Sequence, residues 1–285
     1  MQKHYTIAEV HGMCGGVFAA LDKLEKMLAR HPGETVYVLH ELVHNNAVTG
    51  DFERRGVRFV DQISEIPPGK PAVIGAHGVS AEMERDIRRV AGEVVDATCP
   101  LVRKLHDTVH KLTAADQLII FGKKDHPEVA GVAGNSGAGQ NFIVFSPEDI
   151  VQLPELDSPF FISQTTVDAA RCDAARELLL KRFPHLRCAS GVCDASKKRQ
   201  AAVIRLARCC QAVIVAGSPH SSNACRLREI AEQNGAEAIL VDNAGELPME
   251  LLQKYHSIGV TSGASTPEYI LKKIISKLEE NLFTP

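Results

Sequence analysis

Short apolar runs alternate along this chain with longer stretches whose apolar residues recur at helical spacing. Tyr5 to Val10, Thr35 to Leu39, Ala72 to Ala76, Glu93 to Ala97, Gln117 to Phe121, Phe160 to Ile162, Ala212 to Ala216 and Ile258 to Thr261 read as strands. Between them, Val17, Leu21, Leu24 and Leu28 predict one helix, and Val102, Leu105, Val109 and Leu112 a second. Val203, Leu206, Ala207 and Cys210 predict a third, and Ile270, Ile274 and Leu278 a last one, with a charge-rich helix from Ala81 to Ala91. Strands alternating with helices predict an α/β fold with mainly parallel sheets.

The pattern occurs three times. Each copy places a cysteine immediately before a helix: Cys14 in H-G-M-C-G-G-V, Cys99 in D-A-T-C-P-L-V and Cys193 in G-V-C-D-A-S-K-K-R-Q. Two strands in each copy then deliver polar loops. These are H-E-L-V-H-N-N and A-H-G-V-S in the first, G-K-K-D-H-P-E-V and S-Q-T-T in the second, G-S-P-H-S-S-N and S-G-A-S-T-P in the third. From cysteine to first loop the spacing is 30, 27 and 28 residues, taken to His44, His126 and Ser221. To the second loop it is 63, 66 and 72, taken to His77, Thr165 and Ser265. A period of about ninety residues predicts three similar units, 13–96, 97–191 and 192–285, the last joined by the 1–12 strand. In parallel sheets the loops at the carboxyl ends of strands line ligand sites, so three-fold packing would gather three cysteines and six polar loops.

Composition narrows the functional classes. A chain of 285 residues with 45% hydrophobic content fills two average domains or three small ones. The net charge of −3 and the lack of a dense basic run argue against nucleic acid. No apolar run reaches membrane-spanning length and the N-terminal stretch is polar, so the expectation is a cytoplasmic protein with no membrane association. Its eight cysteines are then mostly reduced, and without a C-x-x-C pair any metal site must be assembled from distant segments. Cys172, Cys188, Cys209, Cys210 and Cys225 are expected to serve packing. The glycine-rich Ala133 to Gln140 reads as a surface turn, and no Walker A or dinucleotide loop is present, so no directly bound nucleotide cofactor is expected.

A thiolate at a helix N-terminus has a lowered pKa and suits metal ligation. Three such thiolates can hold three irons of a 4Fe-4S cluster and leave the fourth open, or hold a zinc ion that cannot supply electrons. His44, His77, His126, Ser221, Ser222, Asn223 and Ser265 are neutral or protonatable donors suited to a small oxyanion such as a diphosphate. Taken singly, each is equally at home in a solvated loop or a helix cap. Glu128, in H-P-E, is either a proton donor or a first-turn carboxylate complementing the helix end.

These motifs, in this order, resemble the 4-hydroxy-3-methylbut-2-enyl diphosphate reductase family, the last enzyme of the methylerythritol phosphate route to isoprenoids. The resemblance runs nearly end to end. It implies a trefoil of three α/β units around a central iron-sulfur site: one 4Fe-4S cluster with an open iron on Cys14, Cys99 and Cys193. It also implies electrons from reduced ferredoxin or flavodoxin. By motif, His44, His77, Ser221, Ser222, Asn223 and Ser265 would hold the diphosphate of a small allylic substrate, with His126 lining the pocket. Thr165, or its neighbour Thr166, would touch the substrate hydroxyl, and Glu128 would supply protons. The implied reaction is a two-electron reductive dehydroxylation giving isopentenyl or dimethylallyl diphosphate. The chain departs from the family's usual pattern at His11, Met13, Asp125, Ser196 and His220. The alternatives are a dehydratase similar to quinolinate synthase and a non-catalytic metal-binding module.

Overall fold

The structure is a computed structural model and describes residues 3–189 and 191–282. Strand β1 (His4–Ile7) and helix α1 (Gly15–Arg30) come first, followed by β2 (Val36–Leu39), α2 (Asn46–Arg54), β3 (Val57–Val60), β4 (Pro71–Ile74), α3 (Ala81–Val90) and β5 (Glu93–Asp96). The middle of the chain gives α4 (Pro100–His110), β6 (Gln117–Phe121), α5 (Pro127–Gly134), β7 (Gln140–Val144), α6 (Pro147–Val151), β8 (Pro159–Ser163), α7 (Ala169–Arg182) and β9 (Arg187–Cys188). Last come α8 (Asp194–Cys209), β10 (Ala212–Ala216), α9 (Ser222–Gln233), β11 (Glu237–Val241), α10 (Met249–Leu252), β12 (Ser257–Ser262) and α11 (Glu268–Leu282).

Three four-stranded parallel sheets result, in orders β3-β2-β4-β5, β7-β6-β8-β9 and β11-β10-β12-β1. The three orders are one topology if β1 counts as the fourth strand of the third sheet. Each cysteine therefore follows the last strand of one sheet and precedes the first helix of the next copy.

The strands that the apolar pattern identified are mostly the central ones. β2, β4 and β10 are buried at every position, because helices cover both faces of a parallel sheet. The edge strands β3, β7 and β11 and the two-residue β9 were not expected. Their exposed or half-exposed positions, as in the Val57–Val60 pattern of buried ends and open middle, dilute the apolar signal.

Two compact units divide the chain. One comprises Met1–Gly15, His44–Val48 and Asp194–Pro285 and contains the third sheet. Its core groups Val203, Leu206, Val213, Val215 and Leu227 on one face and Ile214, Ile258, Val260, Leu271 and Ile274 on the other. The other unit comprises Gly16–Val43 and Thr49–Cys193 and contains the first two sheets. Here Leu39, Ile74 and Ile87 anchor one cluster, Leu105, Leu118, Val129 and Ile162 a second, and Ile119, Phe161, Leu179 and Phe183 a third.

The expectation that the five remaining cysteines are packing residues needs correction. Cys172 and Cys210 are buried in core clusters, but Cys188 and Cys209 are exposed and Cys225 is half-buried. Cys188 lies in an edge strand and Cys209 faces outward from the last turn of α8, positions that apolar spacing does not discriminate.

Candidate active site

In a sheet whose first strand lies between its second and third, connections leave on opposite sides, and a crevice opens at the carboxyl ends of the first and third strands. The polar loops arise at these points. His44 follows β2 and His77 follows β4; Gly122 to His126 follow β6 and Thr165 follows β8; Ser218 to Asn223 follow β10 and Ser265 follows β12. Most of these loops run straight into a helix, so their backbone N–H groups and positive dipole ends accompany the side chains. A Cβ at Gly122 would come within 2.7 Å of Val129 and one at Gly217 within 2.7 Å of Ala224, so glycine there lets the helix approach the strand end.

In the unit of residues 16–43 and 49–193, Glu128 is the central group. It is the second residue of α5, with Pro127 before it, and is 1% exposed. Its Oε1 accepts from the Thr165 N–H at 2.6 Å and its Oε2 from the Thr165 hydroxyl at 2.8 Å. Those two bonds favour the carboxylate, yet burial outweighs them and pushes the pKa up to about 7. The carbonyl of Thr165 in turn accepts from the Cys193 N–H at 3.0 Å. Backbone and side chain thus tie the acid, the threonine and one cysteine into a single chain of bonds. Thr166 is half-buried, and its hydroxyl accepts from Gln164 at 2.9 Å, so Thr165 rather than its neighbour faces the acid.

His126 caps α5, its Nδ1 accepting from the Glu128 N–H at 3.1 Å. An accepting Nδ1 leaves Nε2 as the protonated nitrogen of the neutral ring, and hence a donor. The His77 ring meets it edge-on, centroids 5.3 Å apart at 89°. Cys99 is the residue before α4, with Pro100 at the first helical position, and its N–H donates to the Ala76 carbonyl at 2.9 Å. Cys99 and Cys193 are half-buried and in no disulfide.

In the unit of residues 1–15, 44–48 and 194–285, Cys14 is half-buried and in no disulfide, and its N–H donates to Ala264 at 3.0 Å. Just before it, Gly12 has φ +72°, donates to Ser262 Oγ at 2.7 Å and accepts from the buried Arg199 guanidinium at 2.7 Å. His44 is half-buried, and its carbonyl accepts from the Ser265 hydroxyl at 2.9 Å. Ser221 caps α9 by accepting from Ala224 N–H at 3.3 Å, and Ser222 is half-buried beside it. Asn223 is 5% exposed and its Nδ2 is buried with no hydrogen-bond partner among the described residues. An orphaned donor among hydroxyls at a helix N-terminus fits an anion that is held there.

The sequence reading missed Arg199 and the clamp it forms on the Cys14 loop. A signal was present: Arg199 shares the helical register of Val203 and Leu206, so a charged residue stands in an apolar stripe. Of the departures from the family pattern, His11, Asp125 and His220 are exposed, Met13 is half-buried and Ser196 is buried on α8. No described helix is long and apolar enough to cross a membrane.

A family model described as LytB protein matches residues 6–279. The chain is 38% identical over 281 residues to a 4-hydroxy-3-methylbut-2-enyl diphosphate reductase of Methylococcus capsulatus, covering 96% of this chain and 90% of that one. It is 39% identical over 290 residues to the enzyme of the same name from Tropheryma whipplei, covering 100% and 92%. Among solved structures, the E-1-hydroxy-2-methyl-but-2-enyl-4-diphosphate reductase of Plasmodium falciparum matches with a TM-score of 0.91 at 29% identity, over 98% of this chain and 89% of that one.

Proposed function

The chain belongs to the LytB family, and on that premise we propose that it reduces (E)-4-hydroxy-3-methylbut-2-enyl diphosphate to isopentenyl diphosphate and dimethylallyl diphosphate in the cytoplasm. Two electrons and two protons enter, the allylic C–O bond breaks, and water leaves. The observation that carries the reading is Glu128: a fully buried carboxyl, half-protonated near neutral pH, bonded through Thr165 to the backbone of Cys193.

We assign Cys14, Cys99 and Cys193 as the ligands of one 4Fe-4S cluster. The donor set fits that group, since all three are half-buried cysteines outside any disulfide, next to helix N-termini. When bound, a cluster held by three cysteines offers one iron without a protein ligand, which is both a Lewis acid and an electron source. The chain's own residues bind, orient and protonate. His44, His77, Ser221, Ser222, Asn223 and Ser265 hold the diphosphate, and the Asn223 amide gains the partner it otherwise lacks. His126 contributes an Nε2–H donor to the same ligand. Thr165 steers the substrate hydroxyl and relays a proton from Glu128, whose raised pKa keeps a proton available at pH 7. Burial of Glu128 and Thr165 excludes water that would otherwise compete as donor. Reduced ferredoxin or flavodoxin would supply the electrons.

Anaerobic turnover of reconstituted protein with dithionite-reduced viologen and the hydroxylated diphosphate tests this. Steady viologen oxidation with release of both isomeric products is expected; iron-loaded protein without turnover would overturn it. The dehydratase and non-catalytic readings are not favoured by relatives that are reductases along almost their whole length.

A further inference from the structure

α4 buries Val102, Leu105, His106 and Val109, so a histidine occupies a face otherwise apolar. Its ring fills the space between two glycines of different motifs. A Cβ at Gly78 would lie 2.7 Å from the ring's Cε1, and one at Gly131 3.2 Å from its Nε2. Gly78 follows His77 directly, with φ +69°. Gly131 lies on α5 about one turn after Glu128, on the helix that His126 caps. His77 and His126 meet edge-on, so the contacts close a circuit: His106, Gly78, His77, His126, α5, Gly131 and back to His106.

Asn135 locks the circuit. Its Nδ2 donates to the Val79 carbonyl at 2.8 Å and to the Gly131 carbonyl at 2.7 Å, and lies 3.3 Å from His106 Nδ1. The ring's Nε2 is buried with no hydrogen-bond partner among the described residues. Leaving that nitrogen unpaired is a cost to folding, and an apolar ring would avoid it. Burial, helped by the charge of Arg103, pulls the pKa down to about 4, so the ring is neutral at any working pH.

We infer that His106 is a positioning residue: its ring sets the separation and tilt of the His77 and His126 imidazoles, and so the fit of the diphosphate they receive. The inference rests on the diphosphate role given to those two histidines above.

The test uses the cluster-loaded protein and inorganic diphosphate as probe. His106→Ala removes the spacer and is expected to weaken diphosphate binding by roughly ten- to a hundredfold, the scale of an ångström-level misplacement. KM for the substrate should rise by a similar factor while kcat stays within about twofold and the cluster's spectroscopic signature is unchanged, because Glu128 and the cysteines are untouched. Added imidazole should restore affinity in His106→Ala. His106→Phe keeps a ring and drops the unpaired nitrogen; it should fold at least as stably and bind with intermediate affinity. Gly131→Ala presses on the ring, so it should weaken binding in the wild-type background and have no further effect in His106→Ala. Equal diphosphate affinity in wild type and His106→Ala, or additive effects with Gly131→Ala, would overturn the positioning role and leave the reductase reading intact. A wild-type protein that neither binds diphosphate nor turns over would remove both.

Discussion

Glu128→Gln separates a carboxyl that works as a proton donor from one that merely fills space. Burial raises the pKa from 4.5 to about 7, so in the folded protein the carboxyl keeps a proton that the unfolded chain has already released. Wild-type stability therefore carries a contribution that is full below pH 4.5 and is lost as pH rises through about 7. A shift of that size corresponds to about 3 kcal/mol, at 1.36 kcal/mol per pKa unit. Glutamine has nearly the same shape and no charge to desolvate. Its amide oxygen can accept from the Thr165 N–H, and its amide N–H can donate to the Thr165 hydroxyl, which rotates to accept. The variant should match wild type at pH 4 and exceed it by about 3 kcal/mol at pH 9, a gap of several degrees in unfolding midpoint for a chain of this size. Anaerobic thermal unfolding at the two pH values reads the gap, and the viologen assay on the same samples should show turnover lost. In wild type, kcat should fall as pH rises above about 7, where the donor is deprotonated. Parallel pH–stability curves for the two proteins would refute the buried-carboxyl argument; an active Glu128→Gln protein would remove the proton-donor role whatever the curves show.

Replacing the Thr165 hydroxyl with Thr165→Val deletes one bond to the carboxylate, so the Glu128 pKa should climb further and the alkaline limb of the rate profile should move to higher pH, with Thr165→Ser restoring it. Asn223→Ala removes a buried amide nitrogen that has no hydrogen-bond partner among the described residues. Unfolding should show stability unchanged or raised while calorimetry shows diphosphate binding weakened, and a drop in both would refute the anion role. Serine at residue 14, 99 or 193 should each lower iron content after anaerobic reconstitution, whereas serine at the exposed Cys188 or Cys209 should not. A methyl group at Gly191 would overlap the buried Ser163, so Gly191→Ala should destabilise by about 2–4 kcal/mol, measured by urea unfolding.

The apolar alternation alone was enough to assign the α/β class and the central strands, and the motifs nominated the residues to which chemistry is assigned. β10 (Ala-Val-Ile-Val-Ala) and β2 are unbroken apolar runs because a strand covered on both faces admits nothing else, and a cysteine before a helix is a local feature that spacing reveals. Edge strands such as β3 and β7 stayed hidden, since only one of their sides is bound to the sheet and their composition follows solvent as much as the core. The protonation of Glu128 was equally illegible. Its position in the first turn of α5 permits a solvated carboxylate, and only the tertiary contact of α5 with the loop after β8 buries it against Thr165. The same holds for Arg199 and His106: one sequence position states a side chain's chemistry, but desolvation and hydrogen-bond partners are set by residues dozens to hundreds of positions away. What a titratable group does is therefore decided by the fold that surrounds it.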